Sequence, residues 1–303
     1  MTLDLKKVRH FVAVYEEGSI SKAAERENIA QPALTVHVRQ LEAEFGAKLF
    51  ERSARGVHPT PAGTHFYGLC RDILQRFKAM QQEMQDIGGA VAGSLRIGLM
   101  PSICRGPLAL VLTRYAAAFP AVELAITEAY SGTLCQWVQA GVLDFAVCNR
   151  PASAAGLESR LLLSDRLMLV SGPEKAMQPL LPCRLADVPD LKLVLPSRLH
   201  NLRRLVDHSL RATNLPVVKT LEIDGLSATM SFIRRSDWST MTPLTAVIND
   251  IGESRFVINP ILDPRITSDI YAIHPVAHPL PLAAQKFVEY LRQDLAVIGA
   301  TKL

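Results

Sequence analysis

Residues 18–63 constrain this chain more than any other stretch. Ala23 and Ala24 are small enough for a second helix to approach closely, and Ile29 supplies an apolar residue at a turn. Pro32 suits the first turn of a helix, where the N–H it lacks is not needed. Beyond it, Leu34, Val38, Leu41 and Phe45 recur at steps of four, three and four, which predicts one buried face of an amphipathic helix. Gly46 ends that helix. Its opposite face carries Gln31, Thr35, Val36, Arg39 and Glu42. Leu49–Arg52 and Val57 then predict a short hairpin, with Arg52 and Arg55 at its tip.

Two short helices, the second polar on its outer side, form a helix-turn-helix, whose second helix enters the major groove N-terminus first. On this reading Gln31 pairs with a base edge or a phosphate. Thr35 does likewise and can offer its methyl to thymine. Pro32, Val36 and Arg39 share the same surface, while Arg52 and Arg55 meet backbone phosphate or the minor groove. The competing reading is an ordinary amphipathic helical hairpin with a solvated face.

Charge does not decide between them. The net charge of the 303 residues is +4, and residues 1–60 hold nine Lys/Arg against eight Asp/Glu. Local placement has to carry a nucleic-acid argument here. At 49% hydrophobic and 20% charged residues the chain is an ordinary globular one, long enough for about two domains. Cys70, Cys104, Cys135, Cys148 and Cys183 form no C-x-x-C pair, so they read as reduced, mostly buried thiols of a cytosolic protein; a redox-sensing pair is the alternative. There is no N-terminal signal run, and no stretch approaches the roughly 18–20 apolar residues that span a membrane. The expectation is a cytoplasmic protein with no membrane partner.

Leu5–Glu16 predicts a first helix capped by Asp4, with Leu5, Val8, Phe11, Val12 and Tyr15 turned towards the reading pair. Pro61 opens a long helix to about Ile87. Phe66, Leu69, Cys70, Ile73, Leu74, Phe77, Met80, Met84 and Ile87 keep steps of three and four along it, the pattern of a coiled-coil seam. A dimer interface is one reading and packing within its own domain the other. Residues 88–93, glycine-rich, predict a hinge. The chain thus divides into a winged helix-turn-helix over 1–60, a linker helix and hinge over 61–90, and a ligand-binding domain over 91–303.

That last part alternates strand and helix. Strands are predicted at Leu95–Leu99, Val122–Ile126, Phe145–Cys148, Leu193–Leu195, Thr220–Ile223 and Trp238–Met241. Helices are predicted at Gly106–Phe119, Ser131–Ala140, Asn201–Ala212 and Leu226–Arg234. Two β-α-β-α-β units imply two doubly wound α/β lobes. Leu161–Ser171 crosses between them, and Ile270–Ile273 with helix Leu282–Leu295 returns to the first. Lobe I is then 91–162 with 269–303, lobe II is 163–268, and a cleft lies between.

The chain resembles the LysR-type transcriptional regulators. The N-terminal match runs in order through Phe11, Gly18-Ser19, Ala23-Ala24, Gln31-Pro32-Ala33-Leu34, Leu41-Glu42, Gly46, Leu49-Phe50-Glu51-Arg52, Arg55-Gly56-Val57, Thr60 and Ala62-Gly63. Further on, Gly141-Val142-Leu143-Asp144-Phe145-Ala146 and Ile223-Asp224-Gly225 fit the effector domain of that family more loosely. Ala30 stands where a capping Ser is usual, Val36 where a polar or basic residue is usual, and Glu27 where an apolar residue is usual. The resemblance implies a winged helix-turn-helix joined to a periplasmic-binding-protein-like effector domain. It also implies a homotetramer on promoter DNA with a T-N11-A core, in which a small effector alters oligomer geometry and DNA bending.

In open α/β sheets a ligand sits beyond the carboxyl ends of strands, where helix N-termini point. That rule and the resemblance select Pro101, Ser102 and Ile103, then Ser131, then Asn149, then Ser197 and Arg198, then Thr242 and Pro243. Hydroxyls and N–H groups at helix starts suit an anionic effector, although each hydroxyl alone reads equally as a helix cap. Catalytic and cofactor motifs are missing: no G-x-S-x-G, H-E-x-x-H, P-loop or G-x-G-x-x-G after a strand. His274 and His278 lie four apart but each precedes a proline, which predicts a loop rather than a metal-binding helix face. The expectation is no enzyme, no metal and no cofactor. The alternative is a cytoplasmic small-molecule-binding protein or enzyme with a vestigial DNA-binding domain.

Overall fold

The computed structural model of the protein describes residues 4–53, 56–87, 91–149, 155–212, 215 and 217–301. The chain forms two compact units, residues 1–84 and 85–303.

The first unit begins with α1 (Leu5–Glu17), where the Asp4 carboxylate accepts the N–H of Lys6 at 2.9 Å and Gly18 closes the helix at φ 58°. Helix α2 (Ile20–Arg26) is capped by Ser19. Asn28 takes the turn at φ 52°, a conformation Asn tolerates better than most side chains. Helix α3 (Gln31–Phe45) starts at Ala30, which makes no side-chain cap. The wing pairs β1 (Phe50–Ser53) antiparallel with β2 (Gly56–Pro59), and α4 (Pro61–Ile87) follows.

Val8, Phe11, Ala23, Ala24, Leu34, Leu41, Leu49 and Cys70 form the core of this unit. Ala23 and Ala24 are buried, which lets α1, α2 and α3 pack closely. Two expectations change. Phe45 is 38% exposed and meets Phe66 from the edge of the core. Glu42 does not join the outer polar face. It accepts the N–H groups of Leu49 (2.9 Å) and Phe50 (3.3 Å) and an ion pair from Lys48, so it fixes the start of the wing. Burial opposes its ionisation, but those donors outweigh burial and hold its pKa below the usual carboxylate range. Along α4, Phe66, Cys70 and Leu74 pack on the core, while Leu69, Ile73, Phe77, Met80 and Met84 are exposed.

The second unit holds β3 (Gly93–Leu99), α5 (Pro101–Arg105), α6 (Leu108–Ala118), β4 (Val122–Glu128), α7 (Ser131–Gln139), β5 (Phe145–Cys148) and β6 (Leu157–Ser171). Then come β7 (Cys183–Arg184), β8 (Lys192–Leu195), α8 (Asn201–Ala212), β9 (Lys219–Glu222), α9 (Leu226–Ile233), β10 (Ser239–Pro243) and α10 (Leu244–Val247). It closes with β11 (Val257–Asp263), β12 (Thr267–Pro275) and α11 (Leu282–Ala300). The strand order is β4-β3-β5-β12-β6-β10-β8-β9.

Strand β6 belongs to both lobes. Residues 157–166 pair with β12, and residues 167–171 pair with β10 on one side and, from 168, β11 on the other. Lobe I packs Leu95, Ile97, Tyr115, Phe145 and Phe287 inside. Lobe II packs Leu167, Leu169, Leu193, Val206 and Met241. The helix expected over Gly106–Phe119 is α6, and a short helix not expected, α5, precedes it, with a turn at Gly106-Pro107 between them. Strand β11 was not expected. His274 lies in β12 rather than in a loop, and its Nδ1 sits 3.1 Å from the carbonyls of Pro275 and His278.

Candidate nucleic-acid interface and ligand cleft

Four residues expected to meet DNA, Gln31, Pro32, Val36 and Arg39, are exposed on α3. Thr35 is half-buried, and its hydroxyl donates to the Gln31 carbonyl at 3.1 Å, so that hydroxyl is committed to the helix backbone. The Gln31 side-chain carbonyl accepts the Ser21 hydroxyl at 3.3 Å. Arg52 lies within β1 opposite Val57 rather than at the tip of the wing; Arg55 falls outside the described residues. Glu27 accepts Arg9 at 2.9 Å, which gives its charge a partner at a position where an apolar residue is usual.

Between the lobes of the second unit lies a cavity of about 610 Å³. Helices start at its walls because β3, β4 and β8 all end there. Pro101 and Ser102 of α5, Ser131 of α7, Asn149 after β5, and Thr242 and Pro243 of β10 all line it. Three expected residues do not. Ile103 is fully buried in the lobe I core, since a helical turn points it away from Ser102. Ser197 instead donates its backbone N–H to Asp224 at 2.7 Å. Arg198 is exposed and off the lining, where His200 and Arg204 stand in its place.

The cavity floor is neutral and rich in hydroxyls. Ser131 accepts the N–H of Asn149 at 3.2 Å, the Asn149 amide donates to Ser268 at 2.8 Å, and Thr240 donates to the Val194 carbonyl at 2.7 Å. Ser102, Thr229 and Thr242 are buried (7, 5 and 2% exposed) and line the same cavity. Each hydroxyl can donate to an incoming acceptor. Met100, Leu202, Ile223, Leu226 and Met241 supply apolar wall.

At the rim, the Tyr130 ring of lobe I lies 3.8 Å from the His200 ring of lobe II, and its hydroxyl donates to the Asp224 carbonyl. His200 Nε2 is 3.0 Å from the Asp224 carboxylate. The Ser197 N–H, with His200 beside it, holds the Asp224 pKa below the usual range.

Residues 5–64 match the family profile described as bacterial regulatory helix-turn-helix protein, lysR family, and residues 88–296 match the LysR substrate binding domain. This chain belongs to the LysR family. The nitrogen assimilation regulatory protein nac of Escherichia coli (strain K12) is 27% identical to it over 293 residues, 95% of this chain and 94% of that protein. HTH-type transcriptional regulator BenM of Acinetobacter baylyi is 28% identical over 279 residues, 89% of each chain. Among solved structures, a substituted full-length OxyR from Pseudomonas aeruginosa shares the fold with a TM-score of 0.76 at 21% identity, covering 96% of this chain and 95% of that one. The protein is a DNA-binding transcriptional regulator with an effector-binding domain, and not an enzyme.

In this LysR regulator the cleft is tied to a joint between the lobes. Helix α5 carries Ser102 near its start and Arg105 at its end. Arg105 reaches lobe II, pairing with Asp250 (Nη2 to Oδ1, 3.1 Å) and donating to the Ala246 carbonyl. Asn249 donates to the Gly106 carbonyl at 2.9 Å. Where β6 passes from lobe to lobe, buried Asp165 accepts both donors of Thr245. Burial pushes the Asp165 pKa up to about 6. Among the described residues no group of His, Cys, Asp and Glu is placed to hold a metal ion, and no helix is long and apolar enough to cross a membrane.

Proposed function

We propose that a small anionic effector with an apolar body binds between the lobes and changes how this regulator holds promoter DNA. The observation that carries the reading is the set of hydroxyl-bearing residues, Ser102 from lobe I with Thr229 and Thr242 from lobe II, that line one cavity. Hydroxyls from both lobes bond one ligand only when the lobes are closed on it, so the ligand favours one arrangement. That difference in affinity alone can move the equilibrium. Pro101, Ser131, Asn149 and Pro243 complete the proposed effector contacts.

The reading continues through the oligomer. The exposed Leu69, Ile73, Phe77, Met80 and Met84 of α4 fit a helix-to-helix contact with a second copy. The family resemblance extends this to a homotetramer that works in the cytoplasm on a T-N11-A site. Gln31, Pro32, Thr35, Val36, Arg39, Arg52 and Arg55 form its proposed DNA surface, and a changed spacing of the reading heads alters DNA bending at an energetic cost set by the operator sequence.

A thermal-shift screen of small monocarboxylates beside their uncharged amides tests the effector class. One acid should raise the unfolding temperature while its amide does not. Equal shifts for an acid and its amide would contradict the anionic reading.

A further inference from the structure

His10 of α1 is buried (2% exposed), and its Nδ1 lies 2.5 Å from Nδ1 of His37 on α3. The two rings meet edge to edge, with centroids 4.7 Å apart and planes within 10° of parallel. Two bare nitrogens at that separation would oppose lone pairs, and two protonated ones would drive N–H against N–H. The contact therefore holds one proton between the two Nδ1 atoms. Two neutral rings of opposite tautomer satisfy it, and so does one charged ring beside one neutral ring. Two charged rings do not.

The surroundings add to this. Lys6 and Arg9 on α1 bring further positive charge, and Glu27 at the end of α2 opposes it while paired with Arg9. Burial first, and His37 second, lower the His10 pKa from its ordinary value. His37 itself sits on α3 between Val36 and Arg39, so a movement of its ring away from α1 moves the surface that reads DNA.

We propose that the His10–His37 pair makes DNA binding by this regulator acid-sensitive: protonation of both rings breaks the contact between α1 and α3 and weakens binding. The sign is diagnostic. A base whose pKa is depressed in the folded state contributes stability that is present above its unfolded pKa and is lost as pH falls. Histidines near phosphate do the reverse, because acid charges them and strengthens binding.

The test is fluorescence anisotropy of the full chain on duplex DNA from upstream of its own gene, from about pH 8 to about pH 5.5, the range in which histidine titrates. His37→Gln and His10→Gln are measured alongside. A Gln amide can donate to the remaining Nδ1 and does not titrate. The wild-type Kd is expected to rise on the order of tenfold across the range, with the rise largely abolished in a folded variant. Circular dichroism at about pH 8 identifies which variants fold; His37→Gln, at the less buried position, is the primary one. Nitrogen NMR of histidine-labelled wild type supplies a reading independent of any variant: one protonated and one bare Nδ1 at neutral pH. Two bare Nδ1 atoms, binding that tightens in acid, or undiminished acid sensitivity in folded His37→Gln would each overturn the proposal.

Discussion

Thr245 donates both its backbone N–H and its hydroxyl to one buried oxygen of Asp165, at 3.1 and 2.6 Å. Asp165 lies on β6 where that strand passes between the lobes, and Thr245 is in the first turn of α10. The carboxyl is pushed up to about 6 by burial, against an ordinary 3.8. The folded state therefore holds this proton more tightly than the unfolded chain. Its contribution to stability is full below about pH 4 and falls as pH rises through about 6, by roughly 3 kcal/mol in total. Asp165→Asn, which keeps an acceptor for Thr245 and cannot ionise, should show no such fall. Urea unfolding of both proteins from about pH 4 to about pH 7 checks it. A constant difference between them across that range would refute the assignment.

The joint leaves no room beside Gly106. A Cβ there would lie 1.9 Å from the Thr245 carbonyl oxygen, which is backbone and cannot swing aside. Gly106→Ala should cost about 3 kcal/mol or more in unfolding free energy. Gly132, in α7, is the contrast, with nothing within 4 Å of its absent Cβ. Gly132→Ala should be neutral or stabilising by up to about 1 kcal/mol, and its methyl would narrow the cavity that Gly132 lines.

Helix α3 has an open improvement. Ala30 already has the extended backbone of an N-cap, at φ −67° and ψ 134°, but makes no cap bond. Ala30→Ser should stabilise the first unit by about 1 kcal/mol. A melting temperature that does not rise would show that the Ser hydroxyl fails to reach the helix N–H groups.

The cleft makes a prediction about which residues matter for the ligand. Ser102→Ala and Thr242→Val should each weaken the effector by roughly 1–3 kcal/mol in Kd terms, whereas Arg198→Ala, exposed and off the lining, should leave effector affinity unchanged. Calorimetry with the acid found in the screen measures all three. A large effect at Arg198 alone would move the site to the surface of lobe II.

How far the sequence shows these features depends on how local they are. Gln31–Phe45 is legible because one helix face repeats its apolar residues and one glycine stops it. Asn201–Ala212 is legible from its repeating apolar face alone, with no glycine at its end. Strand β11 is not, since Asn259 and Pro260 interrupt its apolar run. The Asn259 amide is spent on the carbonyls of Gln178 (2.6 Å) and Leu181 (2.8 Å), partners far away in sequence. Likewise, the strand-end rule finds the α5 loop but not which side chain of a helical turn enters the cleft, so Ser102 and Ile103 look alike until the helix is placed. His200 lies in the loop after β8 that the strand-end rule selects, whereas Tyr130 and Thr229 line the cavity with no local signal of their own. Asp224 had one, the Ile223-Asp224-Gly225 segment beside the rim.

The central claim is that this chain reads a specific promoter sequence and that a small molecule in the cleft changes how it does so. The most direct measurement is an anisotropy titration of the full chain on DNA from upstream of its own gene, against scrambled competitor, with and without the acid that stabilises the protein. The account predicts binding that scrambled DNA does not displace and a midpoint or bound anisotropy that the acid shifts. Binding displaced equally by scrambled DNA, and unmoved by the acid, would contradict it.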